Sequence, residues 1–173
     1  MNSLDMYQAW VAIGQAAISL ERAVDVRLRP WSLNQSQGSA LLVLAQHGPQ
    51  RMSHLARFLL QQTQTTTDLV DRLERRKLVR RIRHETDRRV VLVEITDDGR
   101  ALIDDISNAV WSVGHDAFRT VNGSDLRRFT EAVRNVRDAA AEVGGVPADH
   151  LTYAEERLNI APLQLQGNTD AAG

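Results

Sequence analysis

Between residues 61 and 75 the chain carries two helical faces of opposite character. Thr66, Leu69, Val70 and Leu73 stand at i, i+3, i+4 and i+7, a narrow stripe suited to packing on a core. Gln61, Gln64, Thr65, Asp68 and Arg72 repeat that spacing on a second face with no apolar residue. A helix of this kind is held along one edge and offers the other to a surface. The segment beyond it narrows the choice of fold. Two β-branched runs, 78–82 and 90–95, flank Arg83-His84-Glu85-Thr86-Asp87-Arg88-Arg89 and predict a hairpin with a charged tip. A two-stranded ribbon placed directly after a helix pair is a wing.

The flanking sequence is helical. Residues 4–28 form one long helix, with Leu4, Val11, Ile18, Val24 and Leu28 among alanines, ending before Pro30. Asn34 and Gln37 have the spacing of a capping box, and the helix they start is closed by Gly48-Pro49. Met52-Ser53 opens a short helix to about Leu59, and the polar break Leu60-Gln61-Gln62 leads into the two-faced helix, which ends near Lys77. After the wing, Thr96 caps a helix with Asp97 and Asp98 in its first turn, running past Ile106 and Val113 to about Val121. Asn122-Gly123 breaks it, and Ser124 caps a last helix carrying Leu126, Phe129, Val133 and Val136. Residues 153–158 can form one or two helical turns, and from Gln166 onward the composition predicts disorder. The expected fold class is mostly α with a small two-stranded β wing, a winged helix-turn-helix with flanking helices. Its parts are residues 1–32, 33–99, 100–145 and a tail at 146–173, all within one domain.

The chain has no cysteine, which excludes disulfides, zinc-thiolate sites and thiol nucleophiles and fits a reducing cytoplasm. Neither a signal peptide nor an apolar run of membrane-spanning length is present, so no membrane partner is expected. His47, His54, His84, His115 and His150 are scattered without ligand spacing, and there is no glycine-rich phosphate loop and no G-x-S-x-G elbow. No enzyme, cofactor or metal site is predicted.

A formal net charge of −1 argues neither for nor against nucleic acid, but its distribution is uneven. Residues 51–100 hold 12 basic and 8 acidic side chains, whereas 101–173 hold 6 and 11. The positive region coincides with the helix pair and hairpin. A helix-turn-helix lays its second helix in the major groove, where Gln pairs with adenine, Thr meets a base or a thymine methyl, and Asp accepts from cytosine. Gln62, Thr63, Gln64, Thr65 and Asp68 are therefore the candidates for bases or adjacent phosphates, and Arg72, Arg75, Arg80 and Arg81 for phosphates. In the wing, Asp87 stands two residues before Arg89 and, with Arg88 between them, could hold the Arg89 guanidinium ready for a minor groove.

Leu55-Ala56, Leu69-Val70-Asp71-Arg72-Leu73-Glu74, Leu78-Val79-Arg80-Arg81, Asp87-Arg88-Arg89 and Ile95-Thr96-Asp97-Asp98-Gly99 together resemble the MarR family of bacterial transcription regulators. The start of the second helix, Leu33-Asn34-Gln35-Ser36-Gln37, is similar as well. The resemblance covers residues 33–105. It implies a homodimer joined through the first helix and the last two, binding double-stranded DNA at a pseudo-palindromic operator, with repression the favoured outcome. It gives Asp87 and Arg89 the leading part in the wing. It also implies a small aromatic or phenolic effector bound between the dimer region and the DNA-binding lobe, for which Trp10, Trp31 and His47 are the candidates. Two departures stand out. Lys77 occupies the place of the family's usual glycine, so the helix end there is expected to differ in shape, and the tail after Pro147 is longer than the family needs. The rival reading is a winged helix that binds only proteins, which would show no salt-dependent DNA affinity.

Overall fold

The computed structural model describes residues 2–84 and 86–144. The tail at 146–173, including the predicted turns at 153–158, lies outside the described residues. Helix α1 (Ser3–Leu28) begins at Asn2, whose side chain accepts from the Leu4 N–H, and passes into a 3-10 turn (Arg29–Trp31) containing Pro30. Helix α2 (Gln35–His47) has the expected capping box: Asn34 Oδ1 accepts from the Gln37 N–H at 2.9 Å, and Gln37 Oε1 accepts from the Asn34 N–H at 3.1 Å. A two-residue strand β1 (Gln50–Arg51) then precedes α3 (Met52–Phe58) and α4 (Thr63–Arg75). Strands β2 (Val79–Arg83) and β3 (Val91–Ile95) form the wing hairpin.

The sheet is three-stranded and antiparallel in the order β1-β3-β2, with Gln50 opposite Val93 and Arg80 opposite Glu94. The wing is the expected two-stranded hairpin, and β1 adds an unforeseen third strand to its sheet. Two residues after Gly48-Pro49 have no alternation of their own, and only the free edge of β3 makes them a strand.

The core gathers Leu28, Leu41, Leu44, Leu55, Val70, Leu73, Val79, Val93 and Ile106, all buried. Helix α2 lies at its centre, and Gly38 lets it pass close to its neighbours: an added Cβ would stand 3.0 Å from Leu28 Cδ1 and 3.3 Å from Ile106 Cγ2.

Beyond the wing, Thr96 caps a single-turn helix α5 (Asp97–Arg100), accepting from the Gly99 N–H. The predicted continuous helix is divided here. The Leu102 N–H reaches back three residues to Gly99 O, and the chain restarts as α6 (Ile103–Phe118). Gly99 fixes the turn, since its Cβ position lies 2.3 Å from the Leu78 carbonyl oxygen. Helix α7 (Gly123–Gly144) is capped by Asn122 rather than by Ser124. Asn122 Oδ1 accepts from the Asp125 N–H at 2.9 Å, and the Ser124 hydroxyl also donates to it. In α7 only Ala141 is buried.

Three helices end on a left-handed residue that is not glycine: Ser32 (φ 52°), Leu60 (φ 51°) and Lys77 (φ 61°). Each end carries the paired hydrogen bonds of a Schellman motif, in which the left-handed residue and its successor donate back to the last turn. At Lys77 these run to Glu74 O at 2.8 Å and from Leu78 to Leu73 O at 3.0 Å. The helix end expected to differ at Lys77 thus keeps the glycine-type shape with a lysine in it.

Candidate nucleic-acid interface

The two faces of α4 separate as their spacing requires. Thr66, Leu69, Val70 and Leu73 are buried, with the Thr66 hydroxyl donating to Gln62 O. Gln62, Thr63, Gln64, Thr65, Asp68, Arg72 and Arg75 are exposed or half-buried along the other side. Gln61 leaves that face: half-buried, its Nε2 donates to Ser36 Oγ at 3.0 Å and ties the turn between α3 and α4 to α2.

The cations divide into two groups. Arg72, Arg88 and Arg89 are exposed and form no ion pair with another described residue, and Arg75 only donates Nε to the Asp71 carbonyl. Arg83, at the end of β2, is likewise exposed, and no sequence pattern marks it. Arg80 instead meets Glu94, its cross-strand neighbour, at 2.7 Å. Arg81 is bound by two carboxylates of α4, Asp71 at 2.6 Å and Glu74. Its side chain is 30% exposed against 66% for Arg80. The hydrogen bond to Asp71 above all, with the charges of Glu74 and Asp71, raises the Arg81 pKa above its ordinary value against the opposing effect of burial. The acids of α4 therefore differ. Asp71 and Glu74 share the single Arg81 cation, while Asp68 stands on the polar stripe without a cationic partner among the described residues.

At the wing tip, Asp87 Oδ1 accepts the Arg89 backbone N–H at 3.0 Å, and the Asp87 carbonyl accepts from the Val90 N–H at 2.9 Å. The expected hold on the Arg89 guanidinium is replaced by a hold on the backbone. A carboxylate two residues upstream reaches the main chain first, the geometry of an Asx turn.

The aromatic candidates do not converge. Trp10 is 75% exposed in the first half of α1. Trp31 lies in the 3-10 turn, half-buried against the core. His47 stacks on Phe58 with ring centroids 4.9 Å apart. Trp31 precedes α2 and His47 is its last residue, so the two backbones stand near opposite ends of a 13-residue helix about 20 Å long at 1.5 Å per residue. An unforeseen link involves Arg76, just past α4, whose guanidinium donates to the carbonyls of Trp31 and Ser32 at 2.6 Å each. No sequence spacing signals a bond across 44 residues. Among the described residues there is no cluster of three metal-ligating side chains, and no helix is long and apolar enough to cross a membrane.

Comparison with known proteins places this geometry. The model of the MarR family matches residues 33–91. The transcriptional repressor NicR of Pseudomonas putida is 27% identical over 112 residues, 65% of this chain and 71% of its own length. Among solved structures, a mutant of E. coli MarR complexed with operator DNA superposes with a TM-score of 0.70 at 18% identity, over 76% of this chain and 95% of that one. CouR of Rhodococcus jostii, bound to p-coumaroyl-CoA, gives 0.65 at 23% identity, over 72% and 88%.

Proposed function

Because the model of the MarR family of transcription regulators matches residues 33–91 and the fold superposes on members of that family, we propose that the chain works as a homodimeric repressor, holding a pseudo-palindromic operator in double-stranded DNA until a small aromatic acid releases it. The observation that carries the reading is the polar stripe of α4. It joins groups that match base edges to unpaired arginines, on a helix whose other edge is locked in the core. In this reading Gln62, Thr63, Gln64, Thr65 and Asp68 face base edges or the phosphates beside them. Arg72 and Arg75 neutralise phosphates, and Arg88 and Arg89 enter the adjacent minor groove from the wing. Asp87 acts by shaping the turn that presents them. Arg80 adds a weaker phosphate contact, because Glu94 already holds its charge.

Dimerisation rests on the apolar side chains that one protomer leaves in water. Leu4, Tyr7, Trp10, Val11 and Ile18 are exposed on α1, as are Phe129, Val136 and Val143 on α7. Helices so incompletely covered call for a second copy, and residues 1–32 and 100–145 are the segments assigned to that contact. Two-fold symmetry then sets the recognition helices about one DNA turn, ~34 Å, apart. For the effector, Trp31 is the best placed of the three candidates, since its carbonyl is bonded to Arg76 at the end of the recognition helix.

The decisive experiment incubates the protein with randomised duplex DNA, sequences what is retained, and repeats binding with Arg89→Ala across a salt series. An enriched inverted repeat, bound about 1–3 kcal/mol more weakly by Arg89→Ala and with a shallower salt slope, supports the reading. A folded protein that enriches no sequence at any salt would leave the winged helix as a protein-binding module.

A further inference from the structure

We infer that Arg81 is a positioning residue: it fixes the wing against the recognition helix and shields two carboxylates of that helix from DNA, without holding a phosphate itself. The inference deepens the proposed DNA binding and rests on it. Arg81 lies on β2 opposite Val93, and its whole hydrogen-bonding fork is turned back toward α4. Nη2 meets Asp71 Oδ1 at 2.6 Å, Nη1 meets Glu74 Oε2, and the Arg81 backbone N–H donates to Glu74 Oε1 at 3.1 Å. Three bonds thus join the second half of α4 to the first wing strand, across the left-handed joint at Lys77. A guanidinium held by two carboxylates has few directions left for a third anion, and moving it to a phosphate would strip both acids of their partner.

The charges make the same point. Asp71 is exposed and Glu74 half-buried, both on a helix that presents its outer edge to a polyanion. Uncovered, each would repel phosphates. Paired with Arg81, the group carries one net negative charge instead of two. The wing and α4 address different grooves of one duplex, so the angle between them decides whether both can engage, and Arg81 is the side chain that spans them.

A double-mutant cycle separates the roles. Affinity is measured for the duplex selected by the wild type and for a scrambled duplex of equal length, over a salt series. The proteins are wild type, Arg81→Ala, the neutralised pair Asp71→Asn with Glu74→Gln, and the three changes combined. A positioning role predicts that Arg81→Ala weakens the selected duplex about tenfold in the wild type but less than about twofold in the neutralised background, with the scrambled duplex less affected. Arg81→Lys, which keeps the charge and loses the fork, recovers part of the preference for the selected duplex. Equal losses in both backgrounds, with the salt slope smaller by about one, would make Arg81 a phosphate contact and overturn the inference. So would Arg81→Ala binding as well as wild type. Wild type retaining no duplex overturns this inference together with the DNA-binding reading, whereas equal losses in a wild type that binds overturn this inference alone.

Discussion

Asp87 holds Arg89 by its backbone: the carboxylate accepts the Arg89 N–H at 3.0 Å, closing the wing tip. An amide can accept that hydrogen bond as well as a carboxylate can, while an ion pair to the guanidinium would need the charge. Asp87→Asn is therefore expected to retain operator affinity to within about threefold, and Asp87→Ala to lose on the order of 1 kcal/mol or more. Fluorescence anisotropy on one operator duplex compares the two. Equal losses would show that the charge, not the turn, is what Asp87 supplies.

In the proposed complex Asp68 sets a demand on the DNA. An unpaired carboxylate facing a groove is tolerated where a base offers an amino donor, and cytosine N4 is the favoured partner. Selection with Asp68→Ala should relax the preference at one position of each half-site and leave the others intact. Binding to non-specific DNA should strengthen, because a negative charge has gone. A selected sequence identical to that of the wild type would remove Asp68 from base reading.

Lys77 keeps the helix end that glycine would adopt freely. Lys77→Gly relieves the left-handed backbone but adds freedom to the unfolded chain, and the net gain expected is up to about 1 kcal/mol. Urea denaturation measures it directly. The Thr96 hydroxyl bond to Lys77 O at 2.6 Å involves only the main chain there and survives the change.

Gly99→Ala should be among the most damaging single-methyl additions in the chain. The new Cβ would sit 2.3 Å from Leu78 O and 2.7 Å from Ile95 Cγ1, and the backbone carbonyl can give way only by moving the wing root. Destabilisation of about 3 kcal/mol is expected, at the upper end of overpacking. A melting curve unchanged from wild type would show that α5 shifts freely.

The exposed faces of α1 and α7 are where the proposed second copy would dock. If they meet a second copy, the melting temperature rises with protein concentration, and Phe129→Asp combined with Val136→Asp yields a monomer in sedimentation with lower operator affinity. A wild type that sediments as a monomer at every concentration would rule the interface out.

Many features that depend on neighbours in sequence were displayed by it, although the Asn122 cap of α7 and the Asp87 turn were not. The Asn34 capping box, the buried stripe of Thr66, Leu69, Val70 and Leu73, and the Thr96 cap all join residues three or four positions apart. Features that depend on where two elements meet were hidden. Strand β1 exists because β3 has a free edge, and the helix after Thr96 is broken because Gly99 lies on Leu78. The site divides in the same way. The polar stripe of α4 could be read from its period, but the partners of Arg81 and Arg76 could not. Those partners come from other elements of the fold, and a run of arginines looks alike whether its charges are free or bound.

The left-handed joints at Ser32, Leu60 and Lys77 are also where a change of backbone basin would turn one element against the next. Ser32, Leu60 and Lys77 sit where α1 gives way to the DNA-binding lobe, where α3 turns into α4, and where α4 turns into the wing. At each, a side chain with a Cβ stays in a sparsely populated backbone basin because two cap bonds hold it there, and the common basins lie only one rotation away. The helices between them are stiff rods by comparison. In the proposed regulator, a binding event at one end of the chain therefore need not bend anything to be felt at the other. It would have only to reset a latch, and the spacing of the proposed pair of recognition helices would be read out from three such latches in series.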